Sequence, residues 1–181
     1  MRVRPAEPGD LIGIQAIYAH HVLHGFGTFE EAPPTIDEIA MRQAAVSERG
    51  LPWLVAQSEG GILGYAYASP FRPRAAYRYT VEDSVYVAPE AQGQGVGRAL
   101  LDGVVAACVP IGLRQMVAVI GDSRNLASIH LHRACGFEFK TVIKSVGFKF
   151  GRWVDVVWMQ RALGPGDETP PDLPGLHLRG A

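Results

Sequence analysis

Apolar positions along the chain alternate between helical and strand spacing. Leu11, Ile14, Ile17, Tyr18 and Val22 share one stripe of a helix opened by Pro8, after a short strand at residues 2–4. Thr35-Ile-Asp-Glu38 has the form of a capping box, and the helix it starts is predicted to run to about Gly50. Residues 53–57 and 62–68 read as strands joined at Glu59-Gly-Gly61. The alternation Ser84, Val85, Tyr86, Val87 predicts a strand ending at Pro89, and Val96, Leu100, Leu101, Val104 and Val105 then return to helical spacing. Residues 116–120 are wholly apolar, which suits a buried parallel strand. Residues 125–135 form a helix stopped by Gly136, and residues 137–146 and 153–160 form a last hairpin around Phe148-Lys-Phe-Gly151. Two loops interrupt the pattern, one from Gly25 to Pro34 and an arginine-rich one from Pro70 to Arg78. Alternating strands and helices with a long central crossover predict a mixed sheet with helices on both faces.

Composition changes this picture at one end. From Gly164 the run Gly-Pro-Gly-Asp-Glu-Thr-Pro-Pro-Asp-Leu-Pro-Gly can sustain neither helix nor ladder, which predicts a flexible tail or irregular strap over residues 164–181 behind one domain at 1–163. With 181 residues and a net charge of −1, the chain is long enough for one real core and gives no reason to expect nucleic acid or an anionic membrane as partner. The first residues show neither a signal peptide nor an anchor, so a cytoplasmic protein is expected. Cys108 and Cys135 lie among apolar neighbours and read as small core residues. His20 and His24 share a helix face at metal-ligand spacing, but no third ligand is evident and no metal is expected.

The chemistry concentrates in Glu82-Asp-Ser-Val-Tyr-Val-Ala-Pro-Glu-Ala-Gln-Gly-Gln-Gly-Val-Gly-Arg98. A carboxylate, a strand, a glycine-rich turn and a helix start follow one another there. A helix whose first turn is bare of side chains offers unpaired N–H groups and its positive dipole end, which suits a phosphate. The order Gly-x-Gly-x-Gly is neither a dinucleotide-fold fingerprint nor a P-loop, since no Lys-Ser/Thr follows. The frame Val85-Tyr-Val87, Gln92-Gly-Gln-Gly-Val-Gly97, Asn125 and His132-x-x-x-Gly136-Phe137 resembles the GNAT superfamily of acyl-CoA-dependent N-acetyltransferases. Tyr79-Thr-Val-Glu-Asp-Ser-Val-Tyr-Val87, Ser128-Ile-His-Leu-His132 and Val146-Gly-Phe-Lys-Phe-Gly-Arg-Trp153 resemble its phosphinothricin/methionine sulfoximine acetyltransferase branch.

That resemblance implies a mixed, mostly antiparallel sheet with a splayed parallel pair in its middle. It implies that Val85, Tyr86 and Val87 pair with a pantetheine arm while the Val87 N–H polarises a thioester. Gly93, Gln94, Gly95, Val96, Gly97 and Arg98 would hold the pyrophosphate of acetyl-CoA, and Asn125 would cap its helix or reach the pantetheine. Glu82, a carboxylate in a mostly apolar strand, is the expected general base, and the branch carries its catalytic carboxylate there. His132 stands where most of the superfamily carries a tyrosine that protonates the leaving thiolate; an imidazole would either do the same or only pack against coenzyme A. Arg72 and Arg74, with Tyr77, suit a carboxylate or phosphinate, and Phe29 and Glu30 would wall the acceptor pocket and orient the amine. The expectation is an acetyl-CoA-dependent N-acetyltransferase for a small amino-acid analogue. Its rivals are another amine acceptor on the same fold and a non-catalytic acyl-CoA-binding module. The branch also implies a homodimer, in which the aromatic-rich last hairpin (Phe148, Phe150, Trp153, Trp158) helps close the neighbour's site.

Overall fold

The computed structural model describes residues 1–178. Seven strands, β1 (Arg2–Pro5), β2 (Trp53–Ser58), β3 (Gly61–Pro70), β4 (Thr80–Val87), β5 (Gln115–Gly121), β6 (Glu138–Lys149) and β7 (Arg152–Ala162), form one sheet in the order β1-β2-β3-β4-β5-β7-β6. All neighbours are antiparallel except β4 and β5. Four helices accompany it: α1 (Leu11–His24), α2 (Ile36–Ser47), α3 (Val96–Cys108) and α4 (Leu126–Ala134). None is long and apolar enough to cross a membrane among the described residues.

Side-chain alternation decides which helix meets which face. The cross-strand partners Trp53, Tyr67, Tyr65 and Tyr86 stack on one face, where Tyr18 of α1 meets Tyr86 edge-on. Leu54, Ala66 and Gly64 face the other way, toward α3. A Cβ on Gly64 would lie 3.1 Å from Leu100, and one on Gly103 of α3 would lie 3.0 Å from Leu54. The helical stripe read from the sequence is the buried one: Ile14, Ile17, Tyr18 and Val22 in α1, and Val96, Leu100, Leu101, Val104 and Val105 in α3.

One feature of the sheet positions the site. β4 pairs with β5 only at Thr80↔Gln115, Val81↔Met116 and Glu82↔Val117. Beyond Glu82, β4 stays with β3 as far as Val87, while β5 follows β7 as far as Gly121. The two parallel strands therefore fork just past Glu82. Ala88 donates its N–H to Leu63 of β3, so strand alternation turns the N–H and C=O groups of Val87 and Val85 into the fork.

Two expectations change, and one of two alternatives is chosen. The Thr35–Glu38 capping box is present, but its helix ends at Ser47, and Gly50 (φ +71°) closes the turn that follows. β6 and β7 run longer than expected and turn at Phe150-Gly151, both in left-handed conformation. Within the described residues, the segment after Gly164 is an irregular strap. The Arg114 guanidinium donates to the carbonyls of Gly166 and Pro170, Leu176 is buried, and its N–H bonds the Arg78 carbonyl. Residues 179–181 of the expected tail lie outside the described residues.

Candidate active site

The fork opens into a cleft of about 640 Å³ that runs from Glu82 along Val85–Val87 to the start of α3. Its far wall is β5 with α4 from Ala127 to His132, and its near rim is the loop at Gly25-Phe26-Gly27. Period-two alternation splits the acids at the fork. Glu82 points to the face of α1 and α2, whereas Asp83 points to that of α3 and α4.

The glycine turn forms the cleft's polar end. After a short 3-10 turn at Pro89–Ala91, Gly93 (φ +73°) and Gly95 (φ +79°) take the left-handed conformation that L side chains avoid, and α3 starts at Val96. A Cβ at Gly93 or Gly95 would meet no protein atom within 4 Å, so open space lies beside both. The first N–H groups of α3 are left for a ligand, and among the described residues no side chain caps the helix. A bare backbone cradle of this kind suits a phosphate or pyrophosphate group.

Its other members divide by role. Val96 contributes only backbone, because its side chain is in the core. A Cβ on Gly97 would lie 3.1 Å from Leu131, so Gly97 serves the contact between α3 and α4 as well as the cradle. Gln94 folds back to donate to the Glu90 carbonyl, and Arg98 is exposed at the rim beside Asp102. Asn125 caps α4, its Oδ1 accepting the Ser128 N–H at 3.2 Å, and borders the cleft.

Glu82 lines the cleft at the point of the fork. Burial foremost, then the charge of Asp83, push its carboxyl above the ordinary glutamate range, and Arg72 pulls it partly back. No hydrogen bond contributes to that shift. Such a carboxylate is basic and free to receive a proton.

His132 is buried, with 3 % of its surface exposed. Its Nδ1 donates to the Ser128 carbonyl at 2.7 Å, and its Nε2 lies 3.0 Å from Asp83 Oδ2. Burial alone would lower the imidazole pKa, but Asp83 and the Ser128 carbonyl outweigh it and raise it. Both ring nitrogens are engaged, Nδ1 by the Ser128 carbonyl and Nε2 by Asp83, and neither stands free in the cleft. The sequence reading passed over Asp83. The signal was its place beside Glu82, since alternation had to bury one of two adjacent acids where a partner was required.

His21 was also missed, overshadowed by its neighbours His20 and His24. Those two pack ring to ring at 4.8 Å, away from the cleft lining. His21 borders the cleft and donates from Nε2 to the Val87 carbonyl at 2.9 Å, bracing the end of β4 that forms the fork.

The acceptor residues fare unevenly. Arg72 stacks 4.3 Å over the Phe71 ring, lies 6.0 Å from Trp158, and is close enough to bias Glu82. Arg74 is exposed at the start of the short 3-10 turn Ala75–Tyr77, and Tyr77 is half exposed with its ring edge-on to Phe71. Glu30 is not free to orient an amine. Tyr18 Oη donates to it at 2.9 Å and Arg42 pairs with it at 2.7 Å, because the loop folds back onto α1 and α2. Phe29 lies over the bare backbone of Gly121 and Gly147, and Phe26 takes the place at the cleft wall.

The sequence pattern of the Acetyltransferase (GNAT) family matches residues 15–137. The chain is 56% identical over 170 residues to a phosphinothricin N-acetyltransferase of Alcaligenes faecalis, covering 94% of this chain and 86% of that one. It is 42% identical over 172 residues to an L-methionine sulfoximine/L-methionine sulfone acetyltransferase of Pseudomonas aeruginosa, covering 93% and 98%. Among solved structures, a phosphinothricin acetyltransferase from Sinorhizobium meliloti in complex with acetyl-CoA superposes with a TM-score of 0.91 at 49% identity, over 94% of this chain and 92% of that one. With the forked parallel pair, the bare glycine cradle and these similarities in agreement, the chain belongs to the GNAT family of acetyltransferases.

Proposed function

We propose that the chain transfers the acetyl group of acetyl-CoA to the α-amino group of a small amino-acid analogue that carries an acidic group, of the phosphinothricin, methionine sulfoximine or methionine sulfone type. The observation that carries this is the half-buried Glu82 carboxyl at the fork, pushed up in pKa, with the Arg72 guanidinium near enough to be felt. The substrates named for the relatives from Alcaligenes faecalis and Pseudomonas aeruginosa support the acceptor class. An α-ammonium must lose a proton before its nitrogen can attack, which calls for a base at the fork. In this reading Glu82 takes it, directly or through a water, and the amine attacks the thioester in a ternary complex. The Val87 N–H, turned into the fork, steadies the negative charge developing on the thioester oxygen. The cradle at Gly93–Arg98 holds the pyrophosphate and Asn125 the pantetheine. His132, with both ring nitrogens engaged, packs against coenzyme A, and the departing thiolate takes its proton from solvent.

Arg72 grips the acceptor's acidic group, and Arg74 and Tyr77 flank it. Arg72→Ala should raise the acceptor KM roughly tenfold and spare that of acetyl-CoA, because a charge-assisted contact is lost from ground and transition state alike. The check is thiol release from acetyl-CoA with L-methionine sulfone and phosphinothricin beside a cationic aminoglycoside. Wild-type turnover of the aminoglycoside in preference to the sulfone, or an Arg72→Ala variant with both KM values unchanged, would contradict the anionic-acceptor reading.

We take residues 1–163 as the catalytic domain and 164–181 as a tail behind it, whose described part, residues 164–178, is the strap. The cytoplasm, which holds acetyl-CoA, suits two unpaired buried cysteines. We further propose a twofold homodimer. β6 is the sheet's edge, and Phe139, Val146, Phe148, Phe150 and Trp153 (63 % exposed) stand out along it and its turn. Trp158 does not belong to this surface, being packed edge-on to Phe71. The segment 146–153 would then help close the neighbour's site. Sedimentation at micromolar concentration should give the mass of two chains; a fully active species of 19.6 kDa would refute the dimer.

A further inference from the structure

Lys149, the last residue of β6, is buried with 1 % of its surface exposed. Its ammonium points away from the edge and donates to two carbonyls of the loop after α1, Gly25 at 2.9 Å and Thr28 at 2.8 Å. A buried ammonium without a carboxylate partner is costly, and here two backbone carbonyls receive it. Burial lowers its pKa, with Glu31 and Glu30 opposing the shift.

Neighbouring contacts fasten the same loop to the same hairpin. The Arg152 guanidinium lies 3.8 Å over the Phe26 ring and is paired with Asp122, while Phe150 meets Phe26 edge-on at 5.3 Å. The Phe29 ring occupies the space of a missing side chain at Gly147, where a Cβ would lie 2.4 Å from it. A Cβ on Gly121 would lie 2.0 Å from the Phe26 carbonyl. The loop thus rests on stripped backbone and is tied down by one buried cation. Its Gly25, Phe26 and Gly27 are the cleft's rim on the side to which Glu82 points.

We infer that Lys149 is a positioning residue for the acceptor: by holding the Gly25 and Thr28 carbonyls it fixes the loop that walls the acceptor end of the cleft, and so determines which acceptor side chains fit. The inference rests on the proposed acetyl transfer to an amino-acid analogue. The cradle for acetyl-CoA lies at the other end of the cleft and shares no residue with this clamp.

Two arms test it on the full chain, with L-methionine sulfone as acceptor. In Lys149→Met the acceptor KM should rise about tenfold while the acetyl-CoA Kd and kcat stay within about twofold. Hydrogen exchange of the amides at residues 25–30 should quicken in the same variant while the β5 and β7 amides keep their protection. Should Lys149→Met fail to fold, Lys149→Gln, which keeps a donor but not the charge, should show the same split in smaller measure. Wild-type turnover of the sulfone with an unchanged acceptor KM in the folded variants would overturn the inference alone. An acetyl-CoA Kd that weakens in step with the acceptor KM would do the same, since it marks a general loss of structure. A wild type that acetylates no amino-acid analogue would remove the acceptor reading itself, and the clamp's positioning role with it.

Discussion

Glu82→Gln should lower kcat roughly 10²-fold or more while the acetyl-CoA Kd stays nearly unchanged. Glutamine keeps the shape of the side chain at the fork but cannot accept the ammonium proton, and no hydrogen bond is among the causes that set the Glu82 pKa. The pH profile gives a second signature. A base works only when deprotonated, and burial raises the Glu82 pKa, so the acid limb of activity should sit above the ordinary glutamate range. In Glu82→Gln that limb should vanish along with most of the rate. Near-normal turnover at neutral pH in the variant would remove Glu82 from the role of base.

The second large effect concerns the cradle. Gly95→Val should weaken acetyl-CoA binding at least about tenfold without unfolding the chain. Gly95 sits at φ +79°, where a residue with a Cβ costs roughly 1–2 kcal/mol, and the new side chain enters space that no protein atom within 4 Å of that Cβ occupies. Strain and obstruction are separable with Gly50, which has φ +71°, equally open surroundings and no place in the cleft lining. Gly50→Val should lose similar thermal stability and keep the affinity. Calorimetry showing unchanged acetyl-CoA binding in a folded Gly95→Val chain would count against the cradle.

Much of this was legible in the residues because local signals agreed. The stripes of α1 and α3, the Thr35–Glu38 capping box, and the turn from Val87 into Val96 each rest on contacts within one element or its neighbour. The forked parallel pair came from the family resemblance, and the register that ends at Glu82↔Val117 carries it. What escaped depends on which distant backbone a side chain meets. Asp83 meets His132 across 49 residues, Lys149 reaches Gly25 across 124, and His21 reaches Val87 across 66. No spacing along the chain announces such pairs. Glu30 belongs with them: its loop position says nothing of Arg42 and Tyr18, which the fold brings onto its carboxylate. The proline and glycine content of the strap excludes helix and strand without excluding packing, and Arg114 supplies the packing partner.

The central claim is that a carboxylate at the fork drives acetylation of an α-amine. Its most direct test is NMR of the product formed from acetyl-CoA and L-methionine sulfone, run in parallel with the wild-type chain and Glu82→Gln. The account predicts one acetyl group per molecule, on the α-nitrogen, accumulating with the wild type and falling roughly 10²-fold with the variant. Acetylation at equal rates by both chains, or no acetylated amino acid from the wild type, would contradict it.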